Sequence, residues 1–192
     1  MANHCYNWAH INGSKENLDL LQARLKEAKE FDDSLFYPTF HSVLGIPLPE
    51  SDTDVYTEFG TRWYDAEWNR ESDTSATLSG DSAWSPPSEF FRKLSEIYSL
   101  TIESDYQESG ADFGGYYNCS NGEVIRDQTY SYNYYQLKQD KDIFIHNLLG
   151  DIAHGETYED YEDFANYNKD VVAELSPKDI EEIKEQFNKI TK

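Results

Sequence analysis

The sequence predicts an α+β fold in which two helices cover one face of an antiparallel sheet, with a helical C-terminal extension. Three observations carry this. Apolar and polar residues alternate at period two from Cys5 to Asn12 and from Leu100 to Gln107. An aromatic-rich run, Arg62 to Glu71, and a run of small β-compatible residues, Thr74 to Ala83, flank the polar cluster Glu71-Ser72-Asp73, which reads as a hairpin. Apolar residues recur at helical spacing behind two candidate caps, Ser14 and Ser85.

In chain order, the first strand (residues 4–12) puts Cys5, Ala9 and Ile11 on one side and Tyr6, Trp8 and His10 on the other. Asn12-Gly13-Ser14 turns the chain into a first helix (14–31), whose Leu18, Leu21, Leu25 and Ala28 share a face. Residues 32–61 carry Pro38, Pro47, Pro49 and Gly60 and are expected to form an irregular connection, packed in its first half and acidic and looser in its second. The hairpin (62–72 and 74–83) follows. Trp84-Ser85-Pro86-Pro87 then reads as a helix start, with Ser85 as cap and Pro86 in the first position, ahead of the apolar face Phe90, Phe91, Leu94, Ile97 and Tyr98. A fourth strand (100–108) completes the order βαββαβ, that of a ferredoxin-like domain.

Beyond it, Asp112 to Cys119 pairs with Glu123 to Asn133 across Asn121-Gly122, the strongest short hairpin signal. The tyrosines at 130, 132, 134 and 135 are expected on the sheet surface. The remainder reads as helical: Ile143, Phe144, Leu148 and Ile152 are expected on one face, and Glu156 to Asp163 is a tyrosine-interleaved acidic run. In the last helix Ser176 caps, Pro177 follows, Asp179 completes a capping-box pattern, and Ile180, Ile183, Phe187 and Ile190 form a stripe that packs within its own domain. The expected organisation is a ferredoxin-like domain with an added hairpin over 1–133 and a helical extension over 134–192.

With 37 acidic residues against 16 lysines and arginines the net charge is −21. That disfavours binding to nucleic acid or anionic membranes, which depends on Lys and Arg. The 15 tyrosines, 10 phenylalanines and 4 tryptophans supply the burial that a disordered acidic chain lacks. MANHCYNWAH has neither a basic leader nor an apolar run, so a cytoplasmic location is expected, in the host cell if the protein is phage-encoded. No stretch approaches the roughly 18 consecutive apolar residues of a spanning helix. Cys5 and Cys119, without a CxxC partner, read as reduced, buried thiols.

Ala2-Asn3-His4-Cys5-Tyr6-Asn7 followed by Ile11-Asn12-Gly13, Phe59-Gly60-Thr61-Arg62-Trp63, Ala83-Trp84-Ser85-Pro86-Pro87 before a helix, and Asp112-Phe113-Gly114-Gly115 together resemble the YubB ferredoxin-like family of plasmids and phages. The resemblance covers about residues 2–133. It departs where the family often has Trp in place of His4 and Phe59. It implies the fold and a mobile-element setting, but no catalytic residues.

No HExxH, CxxC, GxSxG or phosphate-cradling glycine motif is present, and none of the five histidines is followed two residues later by Ser or Thr. Asp52, Asp54 and Glu58 resemble the start of a calcium loop but lack its glycine and final glutamate, so no metal or cofactor is expected. Tyr6, Trp8, His10, Phe113 and Tyr116 sit where an RNA-recognition module stacks bases, but neighbouring Asp65, Glu67, Glu103 and Asp105 oppose that use. The expected activity is therefore non-enzymatic: an accessory protein that binds a host protein through an acidic surface. The sharper form is a DNA mimic, an anti-defence inhibitor seated in the basic cleft of a nucleic-acid-binding protein. The candidate interaction residues are Glu50, Asp52, Asp54, Glu58, Trp63, Asp65, Glu67, Glu103, Asp105, Glu108 and Asp112. The alternatives are an enzyme with a carboxylate/histidine site and a structural or assembly partner.

Overall fold

A computed structural model describes residues 3–29, 35–47, 55–155 and 158–190. The chain divides into two compact units, Met1–Thr129 and Tyr130–Lys192. The first begins with β1 (His4–Asn12), which buries Cys5, Asn7, Ala9 and Ile11 and turns Tyr6 and Trp8 to solvent, as the alternation predicts. Asn7 is tolerated inside because its Nδ2 donates to the Cys5 carbonyl at 2.7 Å and to Ser82 Oγ at 2.8 Å. Helix α1 (Lys15–Lys29) starts behind Ser14, whose Oγ accepts from the Asn17 N–H at 3.2 Å, and buries Leu18, Leu21, Leu25 and Ala28.

The connection expected to be irregular instead contains β2 (Leu35–Phe36), α2 (Tyr37–Leu44) and α3 (Val55–Phe59). Pro38 does not prevent α2 because it lies in the first turn, where its missing N–H has no intrahelical partner to lose. Phe40, Val43 and Leu44 are buried, so packing decides the conformation. Its expected looser part, with Glu50, Asp52 and Asp54, lies outside the described residues.

The hairpin forms as β3 (Trp63–Arg70) and β4 (Ser75–Ala83). Helix α4 (Ser88–Ile97) starts two residues later than the Ser85 cap implies. Ser85 Oγ donates instead to the Gly60 carbonyl at 2.5 Å, Trp84 adopts φ 67°, and Pro87 is the residue before the first turn. A long-range hydrogen bond has taken the hydroxyl that local pattern assigns to the cap. Phe90, Phe91, Leu94 and Tyr98 are buried, whereas Ile97 is exposed. Then come β5 (Thr101–Glu108), β6 (Phe113–Ser120) and β7 (Glu123–Tyr130), the last two joined by Asn121-Gly122 at φ 49° and 85°.

The unit is a ferredoxin-like α+β domain. Its sheet has the order β2-β3-β4-β1-β5-β6-β7. The four strands of the βαββαβ core occupy the centre, β2 extends one edge and the β6–β7 hairpin the other. Helices cover one face: α1, α2 and α4 bury Leu21, Phe40 and Phe90 in a single core with Cys5, Ala9, Ile11, Tyr64 and Ile102. The opposite face carries the alternate residues of every strand.

The second unit consists of α5 (Tyr132–Gln139), α6 (Lys141–His154), α7 (Tyr161–Tyr167), α8 (Lys169–Glu174) and α9 (Pro177–Ile190). Tyr132, Tyr134 and Tyr135, expected on the sheet, are helical. Aromatic residues suit strands only where the sheet offers a surface to pack on, and here Tyr135 and Leu137 bury on α5 instead. Ile143 is exposed, off the face of Phe144, Leu148 and Ile152. The capping box of α9 forms as expected: the Asp179 N–H donates to Ser176 Oγ at 3.3 Å and the Ser176 N–H to Asp179 Oδ2 at 2.9 Å. Ile183 and Phe187 join Phe144, Leu148, Phe164 and Val171 in a separate core, so the last helix packs within its own unit.

Candidate functional site

Strand register places the uncovered face residue by residue, because directly opposed residues of an antiparallel pair lie on the same side. Glu67, Ser79, Trp8, Asp105 and Tyr116 form one row across β3, β4, β1, β5 and β6. Asp65, Asp81, Tyr6 and Gln107 form the row on one side of it, and Asn69, Thr77, His10, Glu103 and Asn118 the row on the other. Five carboxylates therefore sit on one surface with Tyr6 and Trp8, which are 40% and 46% exposed. Successive rows are ~6.8 Å apart along the strands and neighbouring strands ~4.8 Å apart, so the acids span a patch ~14 Å on a side.

Of the residues predicted from the sequence, Trp63, Asp65, Glu67, Glu103 and Asp105 come together on this face. Trp63 is half-buried against His4, ring centroids 5.2 Å apart. Asp112 is exposed in the β5–β6 loop at φ 55°, beyond the rows. Two residues do not belong to the surface. Glu108 is buried on the helix-facing side of β5, where Oε1 accepts from the Gly110 N–H at 2.8 Å. Glu58 lies in α3 with its carboxylate enclosed, 3.4 Å from Lys93 Nζ and 3.5 Å from His41 Nε2. Its charge is paired with the Lys93 ammonium inside the fold.

Two residues of the face, Asp81 and Arg126, had escaped the prediction, and Tyr116 and Trp8, expected there as aromatics, had not been counted among the interaction residues. Asp81 sits in a strand read as merely small residues, and its position opposite Asp65 depends on pairing. Tyr116 and Arg126 form a stack, the guanidinium 3.7 Å from the ring centroid. Trp8, placed outward by alternation, is the centre of the face only because β1 is the central strand of the sheet.

Among the described residues, Asp65, Glu67 and Glu103 make no ion pair or hydrogen bond, whereas Asp81 faces His4 at 3.4 Å. Like charges directly opposite, as in Asp65 and Asp81, are destabilising across strands. A shallow groove of about 420 Å³ runs between Trp8, His10, Glu103, Asp105, Tyr116 and Arg126. His10 pairs with Glu71 at 3.6 Å and makes no hydrogen bond to Glu103 or Asp105. No cluster of His, Cys, Asp or Glu that could hold a metal ion occurs among the described residues, and no helix among them is long and apolar enough to cross a membrane. The arrangement offers flat aromatic surface and fixed negative charge, which can bind cations and basic surfaces.

A family model described as "Ferredoxin-like domain in Api92-like protein" matches residues 63–146. The match begins at β3 and so contains Asp65, Glu67, Asp81, Glu103, Asp105, Tyr116 and Arg126, but not β1. The crystal structure of protein Api92 from Yersinia pseudotuberculosis is similar at 11% identity and a TM-score of 0.44, covering 69% of this chain and 98% of that one. No curated protein matches the sequence.

Proposed function

We propose that this chain is a non-enzymatic accessory protein of a phage or plasmid that binds a basic, nucleic-acid-binding host protein through the uncovered sheet face of its first unit. The mobile-element setting rests on the resemblance to the YubB family, and on this reading the protein works in the host cytoplasm. The observation that supports binding is the gathering of Asp65, Glu67, Asp81, Glu103 and Asp105 around two exposed aromatic rings. A partner that brings lysines or arginines relieves the like-charge repulsion and covers the rings in one step. DNA mimicry is the sharper form, in which the carboxylates stand in for phosphates.

Capture from host lysate tests this. At low salt the protein recovers a basic partner that duplex DNA displaces, and recovery fades as added salt shortens the Debye length from about 10 Å at 0.1 M to about 3 Å at 1 M. The variant Asp65→Asn/Glu67→Gln/Glu103→Gln/Asp105→Asn recovers nothing. Equal recovery by wild type and variant, or no basic partner at low salt, rejects the proposal. The alternative of an enzyme site draws on His10, Glu103 and Asp105 lining one groove. It predicts turnover of a small molecule that His10→Ala abolishes while partner capture is untouched.

A further inference from the structure

We infer that Trp8 is the seat of an arginine side chain of the partner, held flat on the indole with its charge directed to the carboxylates beside it. This rests on the reading above and names the group recognised. Trp8 is the most exposed aromatic of the sheet face, 46% accessible, and no hydrogen bond or ring contact engages it among the described residues. Asp105 lies directly opposite on β5, and Glu103, opposite His10, is its diagonal neighbour. On the other side, Ser79 separates Trp8 from Glu67. That small side chain leaves the β4 edge of the indole open toward a carboxylate two strands away, ~10 Å off, within the reach of a guanidinium fork lying on the ring.

The face already contains the arrangement once. Arg126 lies 3.7 Å over the ring of Tyr116, next to Asp105 in the same row. Tyr116 is thereby occupied by the chain's own cation, whereas Trp8, the better cation–π surface, is open. An arginine suits the site better than a lysine because its planar group stacks and can also donate in parallel to a carboxylate. Tyr6, two residues away on the same strand and one row from Trp8, stands beside Asp81. An extended basic segment, whose alternate side chains are ~6.8 Å apart, would meet both rings in register.

The test uses the full chain with hexa-arginine, hexalysine and hexaglutamate peptides at low salt, with affinity from calorimetry and the Trp8 indole N–H followed by NMR. Hexa-arginine is expected to shift the Trp8 resonance and bind more tightly than hexalysine, and Trp8→Leu to weaken it about five- to tenfold. Trp8→Phe should restore part of the loss, a recovery that a charge-only contact would not give. Glu103→Gln should weaken binding severalfold, and Glu182→Gln, on α9, not at all. Because Trp8 is on the surface, circular dichroism of Trp8→Leu should match wild type. Hexa-arginine binding unchanged by Trp8→Leu, equal binding of the two basic peptides, or no binding of either overturns the inference. If capture of the basic host protein survives in those cases, the acidic-face reading stands without it. If Trp8→Leu proves unfolded, the unperturbed or shifted Trp8 resonance in the wild-type titration decides alone.

Discussion

Lys141 Nζ donates to Asp179 Oδ2 at 2.5 Å, joining the first turn of α6 to the capping box of α9. The same carboxylate accepts the Ser176 N–H, so one oxygen serves a cap and an interhelical tie. The Lys141 contact first, and the Ser176 hydrogen bonds after it, depress the Asp179 carboxyl to about 2. A depressed carboxyl contributes stability that is fully present above the ordinary value near 4 and is lost as pH falls from there to about 2. The helical unit should weaken over that window, and Asp179→Asn should flatten this dependence while costing about 0.5–1 kcal/mol at neutral pH, Lys141 being well exposed. Urea titrations at pH 2.5, 4 and 6 check it; a variant with the wild-type acid profile would show that another carboxylate is responsible.

Gly80 lies within β4, opposite Ala66 of β3, at φ +156°, and a Cβ there would stand 1.9 Å from the Asp65 carbonyl oxygen and 2.9 Å from Ala66 Cα. Both obstacles are backbone and neither can give way without parting the strands. Gly80→Ala should cost about 3 kcal/mol in urea unfolding and weaken partner capture as well, because Asp65 and Asp81 flank the site. A cost below 1 kcal/mol would mean that the strand pairing at this point is looser than the register implies.

Lys93→Met leaves the enclosed Glu58 carboxylate facing only His41, and also removes the ammonium from over the Phe59 ring, 4.8 Å away. Loss of one member of a mostly buried pair should destabilise the first unit by about 2 kcal/mol. The double variant Glu58→Gln/Lys93→Met should recover at least half of that. Thermal unfolding of the three variants gives the coupling; additive losses would show that Glu58 and Lys93 act independently.

Burial pushes the Cys5 thiol up to about 12 and the Cys119 thiol upward as well. Both cysteines are free and buried. The reactive thiolate is therefore scarce at pH 8, and a disulfide reagent should modify neither residue within the time in which it modifies both in urea. Rapid labelling of Cys5 without denaturant would mean that β1 opens locally.

Much of the fold is legible residue by residue. The period-two alternation of Cys5 to Asn12 and the capping signals at Ser14 and Ser176 all correspond to structure, because each is a relation between residues a few positions apart. The same alternation, applied to β5, separates Glu103 and Asp105 from Glu108 and would have removed Glu108 from the surface. Where local pattern failed, a distant group was in competition: Gly60 took the Ser85 hydroxyl, and Lys93 and His41 drew Glu58 inward.

The sequence by itself determined the βαββαβ order of the core, the acidity and the side of β1 on which Trp8 stands. Only the tertiary structure decided that Asp65 faces Asp81, that Asp105 and Ser79 flank Trp8, and that Tyr116 is already capped by Arg126. Alternation along a strand follows from backbone geometry and is written in spacing alone. Neighbourhood across strands follows from register, which is set by the burial of the whole opposite face, and so the site exists only once the sheet has closed around its core.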